Sequence, residues 1–150
     1  MKTKYSTLLL TGFFLLLILN TNLLAADNTV EGSWTARIKD DKVRMTLSIF
    51  RDDIDHGDWN TTSYFPKNEF SDLQMDKEHG FTLTRTSGEL KLYGKFSQNR
   101  GFGDFEFNAN PEFKEYLNQK GFDDLKNEEL FHLFIRKIDK NYIGYREAEL

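Results

Sequence analysis

From Gly32 to Asn108 the chain alternates apolar and polar residues with a period of two, and at Asn110 that period ends. This switch constrains the fold more than any other feature. Successive side chains of a strand point to opposite faces, so alternation marks a sheet with one buried and one wet face. In "SWTARI", Trp34, Ala36 and Ile38 share a face. In "VRMTLSI", Val43, Met45, Leu47 and Ile49 do the same, with Arg44, Thr46 and Ser48 opposite. "KDDK" between them reads as a polar turn. "FTLTRT" places Phe81 and Leu83 inside, "ELKLYGKF" adds Leu90, Leu92, Gly94 and Phe96, and "GDFEF" adds Phe105 and Phe107.

"SQNRGFG" lies between two alternating strands, so its Asn-Arg-Gly cluster predicts a hairpin turn. A phosphate-cradling loop needs its glycines to open a helix, whereas these open a strand. Gly103 shares a face with Phe105, where it relieves crowding at a bend or bulge.

Beyond Asn110 the pattern is helical. Asn110 is a cap, Pro111 fits the first helical position, and Glu112 suits the positive end of the dipole. Phe113, Tyr116 and Leu117 form a stripe, and Gly121 marks the stop. A second helix is expected with Asn127 as cap, carrying Leu130, Phe131, Phe134, Ile135 and Ile138. A third starts near Asp139 and carries Tyr142, Ile143 and Tyr145. Sheet first and helices second is an α+β order. Phe113 with Tyr116, and Tyr142 with Tyr145, repeat one aromatic spacing. Such an echo suggests helical repeats, but a chain that stops after one unit and the start of another must lean on its sheet or on a partner.

The N-terminus has the order of a secretory signal peptide: Lys2 and Lys4, an apolar run from Leu8 to Leu19, then Ala25 and Ala26. The run is short for a membrane span, although an uncleaved anchor is the alternative. Cleavage after Ala26 leaves 124 of the 150 residues, and residues 27–150 then form one domain, sheet over 27–108 and helical tail over 109–150. The removed segment holds two lysines and no acid, so the net charge of −4 becomes −6. That balance argues against nucleic acid and offers no attraction to anionic lipid, so a membrane partner is expected only if the segment stays uncleaved. There is no cysteine to brace the fold, and 14 Phe, 6 Tyr and 2 Trp supply the buried area instead.

Residues 101 to 113 read Gly-Phe-Gly-Asp-Phe-Glu-Phe-Asn-Ala-Asn-Pro-Glu-Phe, followed by Leu117, Gly121, Leu130-Phe131 and Tyr142. This run resembles a bacterial extracytoplasmic module found attached to antibiotic-sensing regulatory membrane metallopeptidases and in stand-alone secreted proteins. "GSW" at 32 to 34 and "FTLTR" at 81 to 85 suit the same sheet, and "NYIGYREAEL" fits the start of a helical repeat. The resemblance implies a lipocalin-like antiparallel sheet or partly open barrel, followed by two or three short C-terminal helices, in a periplasmic or secreted location. No His-Glu-x-x-His is present, so the peptidase chemistry does not carry over, and the resemblance implies no activity.

"RDDIDHGDW" gathers Asp52, Asp53, Asp55 and Asp58 around His56, but fails the calcium-loop spacing: Asp58 stands where glycine is required, and Tyr64 where glutamate is. It reads as a solvated acidic turn. His56, His79 and His132 are unpaired in sequence, and there is no Gly-x-Ser-x-Gly elbow or cysteine nucleophile. No enzyme activity, metal or cofactor is expected. Asn60-Thr61-Thr62 is a glycosylation sequon, silent in a bacterial source. In "NTTSYFPKNEFSDL", Tyr64 and Phe65 finish a strand and Pro66 stops it, while Phe70 and Leu73 are expected to lie across one end of the sheet as a lid.

Two functions remain open, with a hydrolase of unknown substrate as a second alternative that would need a cleft of converging acids or histidines and would be tested at His56 and Asp58. One is a non-catalytic module that binds an unknown protein of the cell envelope, with Phe131, Phe134, Tyr142 and Tyr145 as contact residues. The other is a lipocalin-like binder of a small apolar molecule, with a pocket lined by Trp34, Phe81, Leu92 and Phe105.

Overall fold

The computed structural model describes residues 29–49 and 59–148, with side chains as far as Tyr145. The N-terminal segment 1–26 and the acidic run with Asp52, Asp53, Asp55, His56 and Asp58 lie outside the described residues.

The alternating stretches form seven strands: β1 (Thr29–Lys39), β2 (Lys42–Ile49), β3 (Trp59–Pro66), β4 (Phe70–Ser71), β5 (Glu78–Arg85), β6 (Gly88–Ser97) and β7 (Arg100–Ala109). They make one antiparallel sheet in the order β3-β2-β1-β7-β6-β5-β4. The order is cyclic in sequence, yet the sheet does not close. β3 and β4 are chain neighbours, joined by a single 3-10 turn at Lys67–Glu69, but they stand at opposite edges of the ladder. What spans this seam is side chain: Phe65 of β3 and Phe70 of β4 meet edge to face, 5.9 Å between ring centres. Phe70 therefore belongs to the core as a short strand opposite Leu83, which corrects its expected place in a lid.

Two-residue turns set the register. "KDDK" turns at Asp40-Asp41, with Asp40 at φ 56. The β6–β7 hairpin turns at Gln98-Asn99, with φ of 48 and 65, one residue earlier than the Asn-Arg-Gly cluster suggested. Positive φ at both central residues is the primed turn whose twist matches the flanking strands. Arg100 and Gly101 are then already paired, opposite Ser97 and Phe96.

Three helices follow, completing the α+β architecture: α1 (Pro111–Gln119), α2 (Asn127–Ile135) and α3 (Lys140–Ala148). The Asn110 side chain accepts from the Glu112 amide at 3.0 Å and caps α1. At its far end Gly121 has φ 82, and the amides of Gly121 and Phe122 donate to the carbonyls of Asn118 and Leu117, each at 3.0 Å. These two hydrogen bonds satisfy two orphan carbonyls and turn the chain back. α2 begins at Asn127 with Lys126, not Asn127, at the cap position, because Glu129 reaches back to the Lys126 amide at 2.7 Å. Asp139 caps α3 by accepting from the Tyr142 amide at 2.8 Å.

The core lies on the concave side of the sheet. At one end Trp34 meets Phe81 and Phe96, with ring centres 5.5 and 5.2 Å away. At the other end α2 lays Phe131 on Phe105 and Phe107 at 5.4 and 5.0 Å, and Phe134 on Phe107 at 5.1 Å. Each ring buried this way contributes about 2 kcal/mol relative to exposure. The sheet and the tail therefore share one core.

Candidate functional site

α1, α2 and α3 enclose a groove of about 690 Å³ on the outside of the helical layer. Local chain geometry builds it. The reversal at Gly121 throws Phe122 and Leu125 alongside the end of α1, facing Leu117. α2 contributes Leu133 from the side turned away from the sheet, and α3 closes the groove with Tyr142 and Ile143. The walls are apolar, while Lys120, Glu129 and Arg136 stand at the rim. Phe122 and Tyr142 are each 51% exposed, which is high for large rings beside a packed helix.

The repeated aromatic spacing falls on opposite environments. In α1, Phe113 is fully buried and Tyr116 stacks on it at 6.4 Å. Tyr116 also donates to the Lys140 carbonyl at 3.4 Å and lies under the Lys140 ammonium, 5.2 Å from its ring centre, tying α1 to α3. In α3, Tyr142 and Tyr145 stand 51% and 63% exposed. Phe131 and Phe134 are wholly buried, so a partner on the surface cannot reach them. Their helical spacing aims them at the sheet, and the two tyrosines alone remain as accessible contacts. The sequence reading missed Phe122, Leu125 and Leu133. The signal for Phe122 was there: an apolar residue just after a helix-stopping glycine folds back on the last turn.

Trp34, Phe81, Leu92 and Phe105 come together on the concave face, all nearly inaccessible. Other rings occupy the space a ligand would need. The packing is tight enough that a Cβ built on Gly94 would lie 2.8 Å from Trp34 Cζ2, and one on Gly101 2.6 Å from the Phe96 ring.

The described histidines have structural neighbours. His79 accepts from the Gln74 amide at 2.9 Å and faces the Lys77 carbonyl at 2.8 Å, holding the turn before β5. His132 packs edge-on against Trp59 at 4.4 Å. Among the described residues, no three His, Cys, Asp or Glu side chains are grouped to hold a metal ion, and no helix is long and apolar enough to cross a membrane.

Among the described residues, Glu69 is the carboxylate with a displaced pKa. Burial alone would raise it, but hydrogen bonds from Lys137 and Arg85, with their charges, outweigh that and hold it below the usual 4.5. Its partners are structural. Arg85 reaches Glu69 Oε2 at 2.6 Å, donates to the Phe134 carbonyl at 2.6 Å, and sits over the Phe65 and Phe134 rings, 5.1 Å from each centre. No family model, curated protein or solved structure matches this chain.

Proposed function

We propose that this chain is an exported, non-catalytic module that binds a protein partner of the cell envelope through the groove of its helical tail. The observation that carries the reading is the contrast between the two apolar regions. The concave face of the sheet is filled with its own rings, whereas the helical groove stands open with Phe122 and Tyr142 on its walls. The occupant that suits it is an amphipathic helix, whose apolar face lies in such grooves through anchors three and four residues apart. The exposed ring pair of α3 fits the same occupant, whereas the matching pair of α1 is covered by a neighbouring helix.

The test is site-specific crosslinking from Tyr145 in the native envelope, with the adduct mapped by peptide sequencing. The expected result is one polypeptide, crosslinked through a helical segment, whose affinity falls at least about tenfold with Phe122→Asp or Tyr142→Asp. Both side chains are half exposed, so neither change empties the core. A bound lipid or metabolite in place of a polypeptide would favour the small-molecule reading. Crosslinks insensitive to both variants would remove the groove from consideration.

A further inference from the structure

The convex face of the sheet carries an arrangement that folding does not need. Arg44 of β2 stands directly opposite Arg37 of β1, and Arg37 directly opposite Arg100 of β7. All three are exposed, and none makes an ion pair among the described residues. Like charges directly opposite each other across strands are destabilising. With neighbouring strands about 4.8 Å apart, three guanidinium groups stand abreast over about 10 Å. Tyr64 ends the row beside Arg44, 62% exposed. The next outward-facing row sets Phe102, 69% exposed, between Thr35 and Lys95. Lys39 and Lys42 extend the cations to the hairpin end, where Asp40 and Asp41 form the turn.

We infer that this face docks on an anionic lipid surface, with Arg37, Arg44 and Arg100 against phosphate headgroups and Phe102 entering the headgroup layer. Two observations favour an extended surface over a discrete anion or an acidic peptide. The cations lie side by side on a convex face and do not converge on a point. The two aromatic side chains stand among them, and exposed rings settle at the level of lipid headgroups. Clustered Arg and Lys beside such rings are drawn by the negative surface potential of anionic lipids. The net acidity of the chain argued against such attraction, but no acid shares the arginine row itself; the acids nearest to it on this face are Asp40 and Asp41 at the turn, Glu78 opposite Lys95, and Asp104 two residues after Phe102. The groove and this face are on different elements, so a module could hold a partner while resting on the bilayer.

The test is co-sedimentation with vesicles of phosphatidylcholine alone and of phosphatidylcholine mixed with phosphatidylglycerol. An uncleaved apolar segment would bind both, so the readout is the difference between them. The expected result is preference for the anionic vesicles, weakened by salt and cut on the order of a hundredfold by the triple change Arg37→Gln, Arg44→Gln, Arg100→Gln. Phe102→Ser weakens binding at unchanged charge. The triple variant should also melt at a higher temperature than the parent, because it relieves repulsion. Equal binding to both vesicle types, anionic binding that survives the triple change, or a lower melting temperature for that variant would overturn the proposal. So would capture of soluble polyphosphate with no vesicle binding, which would mark a polyanion site.

Discussion

Trp34 rests on backbone. Its strand neighbour across β1 and β7 is Gly103, and Gly94 of β6 stands opposite Gly103 in turn. The indole spreads over this bare stretch and donates from Nε1 to the Asp104 carbonyl at 3.0 Å. A Cβ on Gly103 would sit 2.0 Å from the Tyr93 carbonyl oxygen and 2.8 Å from Gly94 Cα, both backbone atoms with little room to yield. Gly103→Ala should therefore cost about 3 kcal/mol in urea unfolding. Gly144, in α3 with nothing within 4 Å, should show the opposite sign on change to Ala, a gain of about 0.5–1 kcal/mol. Equal effects at the two positions would contradict the close approach. The sequence placed Gly103 on one face with Phe105 and suggested relief of crowding at a bend or bulge; the ladder instead runs through Gly103 in unbroken register, opposite Trp34 and Gly94. The sequence could not show that Trp34 is what uses the room, since that contact joins strands far apart in the chain.

Among elements, the join between α2 and the sheet is the most informative. Arg85 ends β5 on its inward side, after Phe81 and Leu83, where a charge would be costly. It is tolerated because the last carbonyls of α2, at Phe134 and Ile135, and the Glu69 carboxylate all accept from it. Lys137, just past the helix at φ 58, holds the other Glu69 oxygen. Since the folded pKa of Glu69 is depressed, its contribution is present above about pH 4.5 and fades as pH falls through the folded value. Glu69→Gln should destabilise at neutral pH by about 1 kcal/mol, discounted for the solvent that reaches Glu69, and the gap to the parent should narrow in melts run below about pH 4.5. A gap that stays constant into acid would exclude this role. The helices themselves were legible, down to Asn110 as cap, Gly121 as stop and Asp139 as the third start, because caps are local chemistry. The cap of α2 was misread by one residue, since a backbone amide bonded by Glu129 leaves no mark at Lys126, and Ile138, expected on that helix, lies beyond its end at Ile135, after the turn through Lys137 at φ 58. The Arg85–Glu69–Lys137 cluster was invisible, because its members come from three separate segments.

At the scale of the molecule, alternation was enough to give an antiparallel sheet followed by helices, but left undecided whether the sheet closes; it does not. Alternation says which side chains share a face, but not how far the sheet curls or what enters its concavity. The groove also escaped notice, because it is made where three helices meet and no one of them shows it. The same limit applied to charge: the arginine row exists only once β2, β1 and β7 are aligned.

A ring of strands stapled by two phenylalanines has a weak point that a fully laddered barrel lacks. Strand-to-strand hydrogen bonds open together, but the gap beside Phe65 and Phe70 can widen without breaking any of them. Deuterium should accordingly enter first at β4 and along the free margin of β3, and last at β1 and β7, which lie at the middle of the ladder, farthest from both edges. Uniform protection from β3 to β7 in exchange mass spectrometry would refute this. Breathing would begin where the strand circle was left unjoined.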